Sequence, residues 1–273
     1  MSTLEEKGKA FRALHERGDA FLLPNPWDVG TARLLAALGF EALATTSAGY
    51  ALSIGKLDGA VGCEAMIAHV AAIAAATELP VNADLENGFG DAPEFAAETI
   101  RMAAEAGAVG GSIEDSTGRA DDPIYAIEFA AERVRAAVEA ARSLPFTFTL
   151  TARAENFITG RPDLGDTIRR LQAFQEAGAD VLYAPGLMSK EDIAEVLRSV
   201  DRPVNVLAGL KGFSLSHMEL SQMGVRRISV GGSLARAALG GFLRAAQEMQ
   251  ERGTFSFVDE AANYKDVAAL LQK

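Results

Sequence analysis

The fold of this chain is decided by one stretch, Val81-Asn82-Ala83-Asp84-Leu85-Glu86-Asn87-Gly88-Phe89-Gly90. It predicts a short buried strand that opens into a glycine-rich loop. Asp84 and Glu86 are two residues apart, so in an extended chain both carboxylates point to the same side. Because like charges repel, we expect a cation between them, and an ion that prefers oxygen ligands, such as Mg²⁺, is the simplest candidate. The alternative is a solvated acidic turn in which Gly88 and Gly90 serve only the loop.

This strand is one of about eight that alternate with helices along the chain. The segments with the composition of buried strands are 20–24, 41–46, 81–84, 111–114, 146–153, 181–183, 204–207 and 227–230. The helical segments that follow them are 28–38, 62–77, 92–106, 123–142, 164–177, 190–198, 215–223 and 234–252, and residues 47–58 are expected to form a loop. Strands and helices that alternate in this way predict a parallel sheet with right-handed crossovers.

Eight such units in about 250 residues predict an α/β fold, a closed (β/α)₈ barrel of the TIM type. Extra helices are expected at both ends, over 3–17 and 259–271. An open doubly wound sheet is the structural alternative, but it would normally carry a glycine-rich phosphate loop after its first strand, where this chain has Asn25-Pro26-Trp27-Asp28. No linker or shift in composition divides the sequence, so we expect residues 1–273 to form a single domain.

The composition narrows the class of protein. A net charge of −11 argues against nucleic acid and against an anionic membrane surface as partners. No run approaches the roughly 20 apolar residues of a membrane span. The chain has one cysteine, Cys63, so no intrachain disulfide is possible, and residues 1–20 lack the apolar core of a signal peptide. We therefore expect a cytoplasmic protein.

In a (β/α)₈ barrel the chemistry lies at the carboxyl ends of the strands, so polar residues there are the site candidates. Asp84, Glu86 and Glu114 come from two adjacent strands, and Mg²⁺ usually takes one or two carboxylates, several waters and substrate oxygens. Arg153, on the next strand, offers a planar donor fork to a carboxylate or phosphate. An anion held between a divalent metal and an arginine predicts a site for a small 2-oxo acid or its enolate. Alternatively, Arg153 is a structural ion-pair partner of Glu114 or Glu155.

The sequence indicates the roles of other polar residues near strand ends less specifically. Asn205, in the seventh strand, is a candidate for substrate binding, whereas Asp115 is more readily explained as a cap or an ion-pair partner. Gly231-Gly232-Ser233 is compatible with a phosphate-binding turn, and also with the simple opening of a helix. The three histidines fall on predicted helices, so the sequence offers no nucleophilic triad at the rim.

Five short motifs, taken in order, resemble the isocitrate lyase/phosphoenolpyruvate mutase superfamily. They are Ser47-Ala48-Gly49, Leu57-Asp58-Gly59, Asp84-Leu85-Glu86-Asn87-Gly88-Phe89-Gly90, Ser112-Ile113-Glu114-Asp115 and Thr151-Ala152-Arg153. The resemblance runs from about residue 21 to residue 233. It implies a (β/α)₈ barrel, a requirement for Mg²⁺ or Mn²⁺, and chemistry at a C–C or C–P bond next to a 2-oxo acid, through an enolate.

The resemblance also assigns roles by position. The residues that would surround the metal, some of them through water, are Asp84, Glu86 and Glu114. Asp58 would lie next to these ligands without binding the metal itself. Together with Arg153, it would be a catalytic residue. Ser47, with the backbone at Ala48 and Gly49, would hold the substrate carboxylate, assisted by Arg153. The family tends to form tetramers that exchange terminal helices, so we expect a homo-oligomer in which the tail from residue 259 is exchanged.

One loop departs from the family pattern. Lyase members carry a Lys-Lys/Arg-Cys-Gly-His loop soon after Ile-Glu-Asp, and its cysteine acts as acid or base, while mutase members place a Lys and an Asn there. Here residues 116–123 are Ser-Thr-Gly-Arg-Ala-Asp-Asp-Pro, in which Arg119 is the single cation. The Glu that lyases carry after strand six is replaced by Ala184-Pro185-Gly186. These differences argue against isocitrate or methylisocitrate cleavage and against phosphonate mutation.

We therefore expect a Mg²⁺-dependent lyase, decarboxylase or hydrolase that acts on a small 2-oxo dicarboxylate such as oxaloacetate, through an enolate stabilised by the metal and Arg153. The first alternative is cleavage or rearrangement at phosphorus in a phosphonopyruvate- or phosphoenolpyruvate-like substrate. The second is a protein that binds 2-oxo acids without turnover, which the missing loop acid suggests. No residue is assigned as the acid or base.

Overall fold

Eight parallel strands form the centre of the molecule, which is described over residues 2–272 by a computed structural model. They are β1 (Phe21–Leu23), β2 (Leu43–Ala44), β3 (Val81–Asp84), β4 (Gly110–Glu114), β5 (Thr149–Arg153), β6 (Val181–Tyr183), β7 (Val204–Leu207) and β8 (Arg227–Ser229). Each strand from β2 to β7 pairs with the next one, and β8 pairs with β1. The Ala44 N–H donates to the Pro24 carbonyl at 3.0 Å and links β1 to β2. The sheet therefore curves into a nearly closed barrel, and the predicted (β/α)₈ fold is confirmed.

Eleven α-helices in residues 2–272 surround or cap this barrel. They are α1 (Leu4–Glu16), α2 (Val29–Ala37), α3 (Ser47–Ser53), α4 (Cys63–Ala76), α5 (Pro93–Glu105), α6 (Ile127–Arg142), α7 (Leu164–Glu176), α8 (Lys190–Ser199), α9 (His217–Met223), α10 (Ser233–Arg252) and α11 (Tyr264–Leu271). A 3₁₀ turn, Ser256–Glu260, lies between α10 and α11. None of these described helices has the length and apolarity needed to cross a membrane.

Several sequence-based boundaries were wrong, among them the start of α6, which begins at Ile127 and not at residue 123. Residues 47–53 were expected in a loop but form α3, because the Thr46 side chain accepts a hydrogen bond from the Gly49 N–H and caps the helix. The single terminal helix expected over 259–271 is divided into the 3₁₀ turn and α11. Strand β5 begins at Thr149 rather than at residue 146. The outer limits of the predicted domain, residues 1 and 273, lie outside the described residues.

Side chains on the strands alternate between the inside of the barrel and the helical layer. Those facing the helices are apolar and join a large core with residues such as Ile100, Val134 and Phe174. The opposite positions are largely polar and buried: Asn82, Ser112, Thr149, Thr151, Tyr183, Asn205, Arg227 and Ser229. The inside of the barrel is therefore filled by packed, largely polar side chains, while the apolar core lies between the sheet and the helices.

Helix α1 covers the amino-terminal end of this space. Its Phe11 and His15 pack edge-on against Phe21 of β1, with ring centroids 6.1 and 4.9 Å away. His15 is 4% exposed, and burial lowers its pKa to about 3, so the ring is neutral. It serves as a packing histidine, in agreement with the expectation that the histidines are not catalysts.

Candidate active site

Arg153, at the carboxyl end of β5, is the centre of a cluster of carboxylates. Its Nη1 contacts Asp84 Oδ1 at 2.9 Å, its Nη2 contacts Glu114 Oε2 at 3.1 Å, and its Nε contacts Glu155 Oε1 at 2.9 Å. The guanidinium side chain is only 15% exposed. Because three acidic side chains surround this one cation, the pKa of Arg153 is raised well above its ordinary value despite its burial, and it stays charged.

Helix α3 contributes the second set of contacts in this cluster. The backbone N–H of Ser47 donates to Asp84 Oδ2 at 2.9 Å, and the Asp84 N–H donates to Thr45 Oγ1 at 2.8 Å. The pKa of Asp58 is raised mainly because nearby protein displaces water from its carboxyl group, and the Ser47 side chain opposes this effect. The first turn of α3 therefore fixes the position of Asp84 and influences the ionisation of Asp58.

The Glu86 carboxyl group lacks hydrogen bonds of the kind that hold Asp84. Its Oε1 is buried and has no hydrogen-bond partner. Burial, and then the charges of Asp84 and Asp58, raise the pKa of Glu86 to about 7. Its backbone has φ +49°, in the left-handed region that non-glycine residues rarely adopt, and its carbonyl accepts from the Glu114 N–H at 3.0 Å. This local geometry holds Glu86 beside β4.

Glu114 completes the cluster. Burial raises its pKa well above the ordinary value, and Arg153 opposes this effect. Together, the carboxyl groups that influence one another here are Asp58, Asp84, Glu86, Glu114 and Glu155, against the single guanidinium of Arg153. This excess of negative charge out of water is the chemistry that a divalent cation would neutralise.

A magnesium ion fits these residues with water completing its coordination. Within residues 2–272, no three His, Cys, Asp or Glu side chains are arranged to hold one ion directly. Mg²⁺ usually binds through one or two carboxylates and keeps several waters, so a direct three-carboxylate cage is not required. The orphaned Oε1 of Glu86 is the atom that such an ion or one of its waters would satisfy.

A cavity of about 170 Å³ opens beside this cluster at the carboxyl ends of the strands. Of the residues selected from the sequence, those that line it are Ser47, Ala48, Asp58, Asp84, Arg153 and Asn205. It is bounded on one side by Gly231 and Gly232, which follow β8. The cavity and the cluster therefore share Asp58, Asp84 and Arg153.

Comparison with known proteins identifies the family of this chain. Residues 11–250 match the family model described as phosphoenolpyruvate phosphomutase. The chain belongs to the phosphoenolpyruvate phosphomutase family. The resemblance inferred from the five motifs is thereby confirmed.

Several solved structures of related enzymes are similar to this chain. The chain is 61% identical to a protein of Burkholderia cenocepacia J2315, provisionally named a lyase/mutase, with a TM-score of 0.96 and coverage of 99% of this chain and 97% of that one. It is 26% identical to a 2,3-dimethylmalate lyase of the PEP mutase/isocitrate lyase superfamily, with a TM-score of 0.85 and coverage of 99% and 95%. An oxaloacetate acetylhydrolase, solved with its product oxalate, is 25% identical, with a TM-score of 0.86 and coverage of 97% and 94%. The chain is therefore an enzyme of the lyase and mutase superfamily, which disfavours the binding-only alternative.

Two residues selected from the sequence for substrate binding already make contacts within the protein. Gly49 lies outside the cavity lining, and its N–H is bonded to Thr46 Oγ1 at 3.2 Å. A Cβ there would lie 2.6 Å from Thr46 Cγ2, so Gly49 allows close packing of α3. Asn205 lines the cavity, but its amide is already bonded to Arg227 and Ser229, at 3.0 and 2.9 Å. Glu86 and Glu114 likewise lie beside the cavity rather than in its lining.

The loop that departs from the lyase pattern is turned toward α5. Arg119 contacts Asp91 at 3.0 Å, and it is absent from the cavity lining. Asp115 is 2% exposed, accepts from the Glu155 N–H at 2.8 Å and pairs with Arg170 at 2.9 Å. The explanation of Asp115 as an ion-pair partner is therefore correct.

Sequence reasoning missed Tyr183 and Arg227, which also line the cavity. Tyr183 ends β6, so the strand-end criterion that selected Arg153 could have selected it. Arg227 was detectable as a charged residue at the start of a predicted buried strand, where a charge is unusual. Both side chains point into the polar inside of the barrel.

Proposed function

We propose that this enzyme is a Mg²⁺-dependent lyase, decarboxylase or hydrolase that acts on a small 2-oxo dicarboxylate resembling oxaloacetate. The observation that supports it most strongly is Arg153 set among Asp84, Glu114 and Glu155 at the edge of the cavity. When bound, Mg²⁺ supplies the Lewis-acid charge that stabilises a developing enolate oxygen. The cluster residues Asp84, Glu86 and Glu114 would hold it, in part through water.

The chain's own residues would bind and orient the substrate. Arg153 offers N–H groups in a planar fork that matches a carboxylate, and Asp84 and Glu114 keep the fork in place. Ser47 and Asp58 both line the cavity, where Ser47 would offer its hydroxyl to the substrate. Apolar walls formed by Leu23, Ile158 and Leu207 exclude water from part of the cavity and so strengthen these polar contacts.

The names of two structural relatives support this substrate class. Oxaloacetate acetylhydrolase and 2,3-dimethylmalate lyase are each named for a small dicarboxylate. The loop at 116–123, without Cys, Lys or His, favours such reactions over isocitrate-type cleavage.

Product analysis with the variant Asp84→Ala tests this function. Wild-type protein with Mg²⁺ is expected to release pyruvate, oxalate or CO₂ from oxaloacetate or a substituted malate. Asp84→Ala removes a carboxylate that contacts both Arg153 and Ser47, so we expect kcat/KM to fall at least about 100-fold. Glu132→Gln, an exposed change on α6, is the control. Turnover that Asp84→Ala leaves intact would refute the proposed role of the metal site.

Chemistry at phosphorus is the second candidate, and the family description favours it. Phosphonopyruvate and phosphoenolpyruvate share the 2-oxo acid or enol carboxylate that Arg153 would bind. Phosphorus NMR of a reaction mixture separates the two functions, because only this candidate changes the phosphorus resonance of the substrate. The orientation of Arg119 toward Asp91 leaves the cavity without a loop cation for the phosphonyl group and argues against it.

We also propose that the enzyme is a homo-oligomer joined through its carboxyl-terminal elements. Apolar side chains on α10 and the following segment are exposed, including Phe242 at 65%, Phe255 at 66% and Val258 at 63%. Several large apolar side chains exposed on neighbouring elements are common at protein interfaces. Light scattering coupled to gel filtration is expected to give the mass of a dimer or tetramer, and a monomer at micromolar concentration would contradict this.

A further inference from the structure

Tyr183 lies beside the arginine on which the proposed function rests. Its ring centroid is 5.3 Å from Arg153 Cζ, and the residue is 8% exposed. Its side chain lines the cavity together with Arg153 and Asp84. A phenolic hydroxyl both donates and accepts a hydrogen bond, so its neighbours decide whether its proton faces the cavity.

A row of side chains connects Tyr183 to the closed end of the barrel. Tyr183 is in register with Asn205, and Asn205 with Arg227, across β6, β7 and β8. Arg227 is 2% exposed, and its Nη1 lies 3.4 Å from His15 Nε2. His15 Nδ1 lies 2.8 Å from the Phe11 carbonyl, which can only accept, so Nδ1 carries the proton and Nε2 accepts from Arg227. The row therefore begins at a guanidinium whose position is fixed by neutral acceptors.

The guanidinium sets the direction of the next two hydrogen bonds, because it can only donate. Arg227 Nε donates to Asn205 Oδ1 at 3.0 Å, so the amide nitrogen of Asn205 faces the other way and donates to Ser229 Oγ at 2.9 Å. Ser229, having accepted from Asn205, keeps its own proton to donate, and its hydroxyl lowers the pKa of Tyr183, as a donor to the phenolate does. Tyr183 thus has a polar neighbour inside the protein, and its side chain lines the cavity.

We propose that Tyr183 is the catalytic acid that protonates the enolate carbon in the reaction proposed above, on which this inference rests. When the C–C bond of the substrate breaks, its electron pair passes into the enolate. The Tyr183 Oη–H bond then breaks, its proton forms a C–H bond on the enolate carbon, and the resulting phenolate recovers a proton from water as product leaves. The Ser229 hydroxyl and the Arg153 guanidinium beside the ring stabilise the phenolate during this interval.

The surroundings of Tyr183 suit this role. Burial raises the pKa of Tyr183 to about 12, so its hydroxyl keeps the proton until a strong base such as an enolate carbon is formed. The proton donor that family lyases carry on the loop after Ile-Glu-Asp is absent from 116–123, and Tyr183 supplies a donor from β6 instead.

Deuterium exchange into the methyl group of pyruvate measures this proton transfer directly. With Mg²⁺ in D₂O, wild-type protein is expected to exchange the methyl protons, followed by proton NMR. Tyr183→Phe removes one oxygen atom and should slow the exchange about 100-fold or more. Calorimetric binding of oxalate with Mg²⁺ should remain unchanged, because oxalate offers Arg153 a carboxylate but no carbon to protonate. Glu132→Gln, at an exposed position on α6, is the control and should exchange at the wild-type rate.

The outcomes separate the two proposals. Wild-type protein that neither exchanges pyruvate nor turns over any dicarboxylate overturns the proposed function, and this inference with it. Exchange that continues at the wild-type rate in Tyr183→Phe overturns the role of Tyr183 alone. Ser229→Ala retains the phenol but removes its hydrogen-bond donor, and it should slow exchange while leaving oxalate affinity unchanged. If Tyr183→Phe does not fold, a wild-type exchange rate in Ser229→Ala overturns the inference.

Discussion

Replacing Glu86 with glutamine should stabilise the metal-free protein at alkaline pH. The Glu86 carboxyl group has an oxygen that is buried without a hydrogen-bond partner. Burial, followed by the charges of Asp84 and Asp58, raises its pKa from 4.5 to about 7, and the opposing effect of Arg153 is smaller. Ionising Glu86 therefore costs more free energy in the folded protein than in the unfolded chain, and Glu86→Gln removes that cost.

The size and sign of the effect follow from the same shift. The difference of about 2.5 pKa units (7 − 4.5) corresponds to about 3.4 kcal/mol at 1.36 kcal/mol per unit. Because Glu86 is partly exposed, solvent screening reduces this to about 2 kcal/mol. Between pH 4.5 and 7 the folded state binds more protons than the unfolded state, so the cost is absent below pH 4.5, increases with pH and is complete above pH 7.

Urea unfolding followed by circular dichroism, in the presence of a chelator, measures the difference. At about pH 8 the free energy of unfolding of Glu86→Gln should exceed that of the wild type by about 2 kcal/mol, and near pH 5 the excess should fall below about 1 kcal/mol. Glu132→Gln, on the exposed face of α6, should show no such trend. Added Mg²⁺ should stabilise the wild type more than the variant. Equal stabilities at pH 8, or an excess that grows toward pH 5, would refute the reasoning.

Two other substitutions test residues that stabilise the structure around the candidate site. Arg170→Met leaves Asp115 buried without its cation, and should lower the free energy of unfolding by about 3–5 kcal/mol. Burial already raises the pKa of Asp115 to about 6, so the loss of stability in Arg170→Met should be larger at pH 8 than at pH 5. The control is Arg169→Met, at a side chain that is 61% exposed, and it should cost about 1 kcal/mol or less. Gly88→Ala should cost about 1–3 kcal/mol, because φ is +83° and the new Cβ would lie 2.9 Å from Ala96 Cα; thermal melts against Gly18→Ala, where no atom lies within 4 Å, measure it.

The sequence predicted the strands best where apolar runs end sharply at polar residues. β3, β6 and β7 begin and end at the expected residues. Asp28 caps α2 as expected, because a capping side chain and the helix it starts are adjacent in the chain. Boundaries failed where distant contacts decide the local structure. Helix α3 depends on Gly49 packing near Trp27 and Ala235, which no local pattern reveals.

The residues of the candidate site also divide into those that local sequence predicts and those that depend on distant contacts. Asp84 and Arg153 could be selected because each occupies the carboxyl end of a strand, and the structure brings them within 2.9 Å. The connection of Tyr183 to Arg227 could not be predicted, because it depends on the stagger between β6, β7 and β8 in the barrel. That stagger is a property of the closed sheet and not of any one strand.

The polar inside of the barrel has a consequence for how this enzyme can change over evolutionary time. Along β5, Thr149, Thr151 and Arg153 face the inside, while Leu150 and Ala152 face the helices. Truncating an outward apolar residue such as Leu150 opens a cavity in the core, at about 2–5 kcal/mol. Among the inward residues of this strand, Arg153 lines the cavity, so its exchange alters recognition while the apolar core between the sheet and the helices is left intact. A descendant of this chain can thus acquire a new substrate by substitutions at inward positions that line the cavity.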